Sequence, residues 1–407
     1  MKREEYERKI RGIDFFEARE RLYGVAQNTG LIYSNVFSKE SGNQVYIKPE
    51  NLQNTGSFKI RGAYNKISKL PEEERSNGLI ASSAGNHAQG VAYAANRLGV
   101  KSTIVMPAGT PLIKVEATKS YGAEVVLYGD FYDDAYREAR RLGDENGYVF
   151  IHPFNDRDVI EGQGTIALEL LEEIPDLECI VVPVGGGGLI SGVALAAKQI
   201  KPDIMVIGVE PEGAKTLRTS LDMGCVTCLE KVRTIADGVA VKEAGDLTFE
   251  VVKNMVDDIV VVSEFEIMEA FLILLDKHKL VGENAGVLAL AGTKKLGFKD
   301  KKVAAIVSGG NIDVLTMSSM ISRGLISRGR IFSFKVDLQD KPGELLKISK
   351  ILSEQNGNVI KLEHNQLKSI DRFMEVELEV TVETNGHGHI ERIVKALSEE
   401  GYSVDRI

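Results

Sequence analysis

Between residues 78 and 310, short apolar runs alternate with amphipathic stretches of helical length. The runs are GLIASS (78–83), STIVMP (102–107), AEVVLYG (123–129), YVFIHP (148–153), ECIVVPVG (178–185), IMVIGVE (204–210), DIVVVS (258–263) and KKVAAIVSGG (301–310). Segments such as DFYDDAYREARRLGDENG and SEFEIMEAFLILLDKHKL separate them. The second begins with Ser263 followed by Glu266, the spacing of a capping box. This order predicts right-handed βαβ units and parallel sheets, since a parallel pair needs a long crossover. The runs are almost wholly apolar, as strands covered on both faces should be.

The chain has 407 residues, more than one core usually holds. The alternation breaks near RGLISRGR (323–330), and a different order follows. FSFKVDL (332–338) alternates like a half-exposed strand, and PGELLKISKILSEQN (342–356) reads as a helix with proline in its first turn. NVIKLEHNQL and FMEVELEVTVE read as antiparallel strands, HIERIVKALSEEG as a helix and YSVDRI as a last strand. That βαββαβ order describes a ferredoxin-like module.

Composition narrows the function classes. Apolar residues make up 43% and charged residues 27%, with a net charge of −9, the wrong sign for a general nucleic-acid binder. No apolar stretch approaches the ~20 residues of a membrane helix. The start, MKREEYERKI, is not of secretory type. Three cysteines do not make a disulfide framework. A cytoplasmic location is expected.

Three polar glycine loops follow predicted strands. PVGGGGLISG (183–192) leads into a helical run, and its amides with the helix start would make an anion site. A tight turn alone would need one glycine. The loop is neither a P-loop nor a clean dinucleotide fingerprint. SSAGNHAQG (82–90) offers Ser83 and Asn86 at another helix start, where ordinary capping would also favour them. SGGN (308–311) ends a third strand. Ligands of parallel sheets bind beyond the carboxyl ends of strands.

Lys59, in SFKIRGAYNK, is followed three and four places on by Gly62 and Ala63. On a helix these share its face, and their small size would leave that face open. A lysine becomes nucleophilic when burial or nearby cations lower its pKa. Arg61 is close in sequence, but its direction is not set by spacing.

SFKIRG, SSAGNHAQG, GGGGL and SGGN, in this order over residues 10–325, resemble the threonine/serine dehydratases, pyridoxal-phosphate enzymes of the tryptophan-synthase-β type. DKPGELL (340–346) and NGNVIKL resemble an ACT domain, and the whole resembles the single-ACT form of threonine ammonia-lyase. The resemblance implies an α/β, two-lobed catalytic domain over residues 1–325, its small lobe (about 50–150) inserted in the large one, and an α+β ferredoxin-like ACT domain over 326–407. It implies that Lys59 forms the Schiff base with pyridoxal 5'-phosphate and acts as general base. Phe58 would pack on the ring and Asn86 would bond its hydroxyl. Gly185, Gly186, Gly187, Gly188 and Leu189 would hold the phosphate, and Ser308 would meet the pyridine nitrogen. Gly238 and Glu283 would line the cofactor. Ser83, Ala84, Gly85, Asn86 and His87 would receive the substrate.

The implied reaction is β-elimination of water from L-threonine or L-serine, giving 2-ketobutyrate or pyruvate and ammonia. A neutral Ser308 favours prompt elimination over transamination. Racemases of this family carry a serine where this chain has Ala84, so racemisation should be minor. Rival readings are a β-replacing synthase or other amino-acid lyase of the same fold, a non-catalytic amino-acid sensor, and a nucleotide-binding protein. Asp340, Gly343, Leu345 and Asn358 are effector-site candidates, for isoleucine, valine or AMP, on a module that would pair subunits into a tetramer or dimer. The alternative for that module is assembly without regulation. No metal is expected from Cys225 and Cys228, nor from His387 and His389 in a predicted loop. Glu210 and Ala214 match a cation site of some relatives, but Thr216 replaces the further oxygen ligand, leaving a monovalent ion as the open case.

Overall fold

The computed structural model describes residues 3–365 and 375–407. It divides into two compact units, Met1–Ile312 and Asp313–Ile407.

The first unit holds two sheets. The larger is six-stranded, in the order Ile32–Tyr33, Gln44–Pro49, Lys302–Val307, Cys179–Pro183, Met205–Pro211, Asp258–Val262. Only the Ile32–Tyr33 edge pairs antiparallel; the other neighbours are parallel. The smaller sheet is wholly parallel, in the order Glu124–Leu127, Ser102–Met106, Leu79–Ser82, Val149–Phe150. Its residues fall between Gln44–Pro49 and Cys179–Pro183, so the chain leaves the large sheet, builds the small one and returns. Strands Cys179–Pro183 and Ser102–Met106 are buried at every residue, as doubly covered strands require. Helices Lys59–Lys69 and Arg157–Glu173 cross closely. Gly62 and Gly162 meet there: a Cβ on Gly162 would lie 2.5 Å from the Arg61 carbonyl oxygen.

Sequence periodicity finds all eight strands it names, and the Ser263–Glu266 capping box is present. It misses Gln44–Pro49, whose run is interrupted by the buried Lys48.

In the second unit helix Val314–Ser327 precedes the module. Strands Ile331–Gln339, Asn358–Asn365, Glu375–Glu383 and Val404–Arg406 and helices Glu344–Glu354 and His387–Glu399 give the βαββαβ order, with the antiparallel sheet order of a ferredoxin-like domain. Its core joins Phe334, Leu338, Leu352, Val380 and Ile393. The predicted strand ends at 366–367 and 373–374 lie outside the described residues. Two details differ from expectation. Pro342 precedes the helix rather than entering its first turn, because Gly343 at φ +100° starts the helix. His387 and His389 lie in the first turn of a helix, not in a loop.

No described helix is long and apolar enough to cross a membrane.

Candidate active site

Lys59 is the first residue of helix Lys59–Lys69. Its Nζ donates to the Pro153 carbonyl at 2.9 Å and sits 5.2 Å from the Phe58 ring centroid. Burial of the amine lowers its pKa to about 8, against the pull of the Glu283 carboxylate. Arg61 contributes nothing to this shift. It points away, into a buried network with Glu50 and Glu169.

Gly62 and Ala63 do not open the lysine's face. A Cβ on Gly62 would lie 2.3 Å from Gln163 Nε2 and 2.7 Å from the Val159 carbonyl oxygen. The glycine is needed by helix Arg157–Glu173, whose Gln163 Oε1 also accepts from the Gly62 N–H at 3.1 Å. Ala63 is buried in the core of the smaller sheet. The sequence-based reading of an empty face is therefore wrong, because a neighbouring helix fills it.

Two histidines flank the amine. Burial and the Lys59 charge lower His87 to about 3, and its Nε2 meets the Ile151 carbonyl at 2.8 Å. Burial lowers His152 to about 4, and its Nδ1 accepts the N–H groups of Phe154 (3.2 Å) and Asn155 (2.8 Å). Both are neutral at physiological pH.

The glycine loop joins strand Cys179–Pro183 to helix Gly188–Ile200. Only Gly187 has a left-handed backbone, at φ +92°. The other three are glycines for space: a Cβ on Gly186 would lie 2.4 Å from the Phe154 ring, one on Gly188 2.8 Å from Phe154, and one on Gly185 3.0 Å from Val239. The N–H groups of Gly185, Gly186 and Gly187 have no acceptor among the described residues. They adjoin the start of a 13-residue helix, where partial positive charge gathers. Leu189 is buried in the first turn.

Glu283 is buried at the centre of the remaining candidates. Burial, with Asp237 nearby, raises its pKa to about 7, opposed by the Asn86 hydrogen bond. Asn86 Nδ2 donates to Glu283 Oε1 at 2.5 Å. A Cβ on Gly238 would lie 3.5 Å from the same oxygen. Ser308 accepts the Phe58 N–H on its carbonyl at 3.1 Å, tying its loop to the segment entering Lys59. Ser83, Ala84, Gly85 and Asn86 are half-exposed, and Ser83 Oγ accepts the Gly85 N–H at 3.2 Å. Sequence reasoning assigned no role to Asn311, which bonds Asn86 Oδ1 at 2.8 Å, or to His152 and Pro153, which hold the lysine's surroundings. The SGGN loop was the one signal for Asn311.

Several of the remaining candidate groups bond within the protein. Glu210 Oε1 and Oε2 accept the N–H groups of Leu217 and Arg218, each at 2.8 Å, at the start of helix Thr216–Met223. Thr216 Oγ1 donates to the Val241 carbonyl. His389 Nδ1 accepts the Asn385 N–H at 3.0 Å, while His387 Nε2 lies 3.0 Å from the Ser327 carbonyl. Cys225 and Cys228 are exposed free thiols. In the second unit Asp340 and Leu345 are exposed, and Asn358 Nδ2 donates to Glu383 at 3.4 Å.

Residues 23–309 match the family described as pyridoxal-phosphate dependent enzyme. The L-threonine ammonia-lyase of Thermotoga maritima is 48% identical over 392 residues, covering 96% of this chain and 98% of that protein. The processed form of threonine deaminase isoform 2 from Solanum lycopersicum has a TM-score of 0.73 at 40% identity, covering 76% of this chain and 92% of that one. Maize serine racemase has a TM-score of 0.72 at 38% identity, covering 77% and 98%. The geometry fits the cofactor on its own terms. A lysine with a depressed pKa stands beside an aromatic ring, and a glycine loop with unspent amides marks a helix start. This chain is a pyridoxal-phosphate-dependent enzyme and belongs to the threonine ammonia-lyase (threonine dehydratase) family.

Proposed function

We propose that the enzyme eliminates water from L-threonine to form 2-ketobutyrate and ammonia, and acts in the same way on L-serine to form pyruvate. One observation carries the reading: the Lys59 amine is buried beside Phe58 with its pKa lowered to about 8. An ordinary lysine, at 10.5, would be a poor base near neutrality.

Gly185, Gly186, Gly187, Gly188 and Leu189 would take the cofactor phosphate on their amides. Phe58 would pack on the ring, Asn86 would donate to its hydroxyl, and Ser308 would meet its nitrogen, with Gly238 and Glu283 lining the cleft. Bound there, pyridoxal phosphate supplies an electrophilic carbonyl and a conjugated sink for an electron pair. Ser83, Ala84, Gly85 and His87 would seat the substrate carboxylate at the start of helix Asn86–Arg97. Lys59 Nζ takes the proton from Cα, the electron pair left there forms the Cα–Cβ double bond, and the β-hydroxyl takes up a proton as its bond to Cβ breaks and departs as water. The enamine formed from threonine is then hydrolysed to 2-ketobutyrate and ammonia. His87 and His152, both neutral, surround the amine without adding positive charge. Ala84 carries no proton to the opposite face of Cα, which supports elimination over racemisation despite the likeness to maize serine racemase.

The ferredoxin-like module over residues 326–407 would act as an ACT domain, binding an amino-acid or nucleotide effector near Asp340, Gly343, Leu345 and Asn358 and pairing subunits into a tetramer or dimer. An effector works only by binding two states unequally. Removing residues 331–407 should abolish effector response and leave catalysis.

The test of the reaction is the visible spectrum together with 2-ketobutyrate formation from L-threonine, for wild type and Lys59→Ala. Product and a cofactor band in the wild type alone are expected. A wild type that stays colourless when supplied with pyridoxal phosphate would overturn the reading.

A further inference from the structure

The Asn86 carboxamide is held on two sides. Its Oδ1 accepts from Asn311 Nδ2 at 2.8 Å, and its Nδ2 donates to Glu283 Oε1 at 2.5 Å. A carboxamide has two N–H donors, so one N–H of Asn86 is left over. Asn311 has spent both of its own: one on Asn86 and one on the Thr55 carbonyl, also at 2.8 Å. It therefore presents a donor to Asn86 and obliges the oxygen of Asn86 to lie on that side.

The backbone is shaped around this arrangement. Gly56 has φ +69°, and a Cβ there would lie 2.3 Å from Asn311 Oδ1. A Cβ on Gly309 would lie 2.6 Å from Glu283 Oε1 and 3.0 Å from Asn86 Nδ2. The Gly310 N–H donates to the Gly56 carbonyl at 2.9 Å, closing the loop onto the segment that leads into Lys59.

We propose that Asn311 is a positioning residue that sets which way round the Asn86 carboxamide lies, keeping its remaining N–H available to the ring hydroxyl of pyridoxal phosphate. The inference rests on the donor role proposed for Asn86. Without Asn311 the amide can turn over and present its oxygen, an acceptor facing an acceptor. Glu283 alone does not prevent this, since its raised pKa lets it carry a proton and serve either polarity.

The test compares equilibrium binding of pyridoxal phosphate and 3-deoxypyridoxal phosphate, which lacks the ring hydroxyl, to the cofactor-free protein. The quantity read is the preference between the two, measured for wild type, Asn86→Ala, Asn311→Asp and Asn311→Ala. A donor to a charged oxygen makes the wild-type preference about tenfold. In Asn311→Asp the new acceptor draws the Asn86 N–H groups to itself, and the preference falls to that of Asn86→Ala. Asn311→Ala, which adds no charge, lowers it part of the way. Adding Asn311→Asp to Asn86→Ala changes the preference no further. If both Asn311 variants keep the wild-type preference while Asn86→Ala loses it, the proposal is overturned and the donor role of Asn86 stands. If Asn86→Ala itself keeps the preference, the donor role fails and the proposal falls with it.

Discussion

Arg61 grips Glu169 at two points, Nη1 to Oε1 at 2.6 Å and Nη2 to Oε2 at 2.9 Å, and so ties the helix that begins with Lys59 to helix Arg157–Glu173. Glu50 takes Nε and Nη2 of the same guanidinium at 2.8 and 2.9 Å, and Lys48 Nζ completes the network on Glu169 at 2.6 Å. Two cations face two carboxylates, all of them buried. Removing one partner of such a set leaves an uncompensated charge, at about 3–5 kcal/mol. Glu169→Gln is expected to lose about that much in denaturant unfolding. Lys48→Met added to Glu169→Gln restores the balance and should recover part of the loss. A double variant no more stable than Glu169→Gln would refute the charge-balance account.

Gly62→Ala tests why the position is bare. Its Cβ would meet Gln163 Nε2 at 2.3 Å and the Val159 carbonyl oxygen at 2.7 Å. Gln163 can swing, but the carbonyl belongs to the helix backbone. Overpacking of this kind costs about 1–3 kcal/mol. The expected result is a lower melting temperature together with weaker pyridoxal phosphate binding, because the displaced helix carries Lys59. Weaker binding at unchanged stability would instead favour the idea that the lysine needs the room.

The contrast between these residues shows what the sequence made legible. The parallel strands were readable because each is a continuous apolar run, and the glycine loops because they fall at strand ends. Gln44–Pro49 was not, since Lys48 interrupts it and the carboxylate that neutralises Lys48 lies more than a hundred residues away. The direction of Arg61 was hidden for the same reason: Glu169 is 108 positions distant. Asn86 and Ser308 stood out through their loops. Asn311 sat in one of those loops, but its hydrogen bonds reach back 225 and 256 positions. Helix-to-helix contacts at Gly62 are equally silent in a one-dimensional pattern, which records that a residue is small and not what lies against it.

Capture of pyridoxal phosphate by the cofactor-free protein should depend on pH through Lys59. Only the neutral amine attacks, so the rate rises as pH passes the folded pKa and levels off above it. With burial lowering that pKa to about 8, the midpoint is expected near pH 8 instead of 10.5. His87 and His152, at about 3 and 4, stay neutral throughout and add no inflection there. Glu283 works against the shift, so Glu283→Gln should move the midpoint lower. A wild-type midpoint near 10 would show that the amine is not desolvated.

His152 is expected to hold the turn that receives the lysine. Its Nδ1 accepts the N–H groups of Phe154 and Asn155, and between them and the ring lies Pro153, whose carbonyl accepts from Lys59 Nζ at 2.9 Å. The ring also packs edge-on to Phe154 at 4.7 Å, and Phe154 in turn covers Gly186 and Gly188. An asparagine at position 152 can accept the same pair of amides through an Asx-turn, whereas phenylalanine keeps the ring and loses the acceptor. His152→Phe should loosen the turn and admit water to the amine, moving the midpoint of the capture profile above 8 and weakening cofactor binding. His152→Asn should restore the midpoint. A midpoint that stays near 8 in His152→Phe and rises in His152→Asn would mean that ring packing, not the two amide bonds, keeps Pro153 in place.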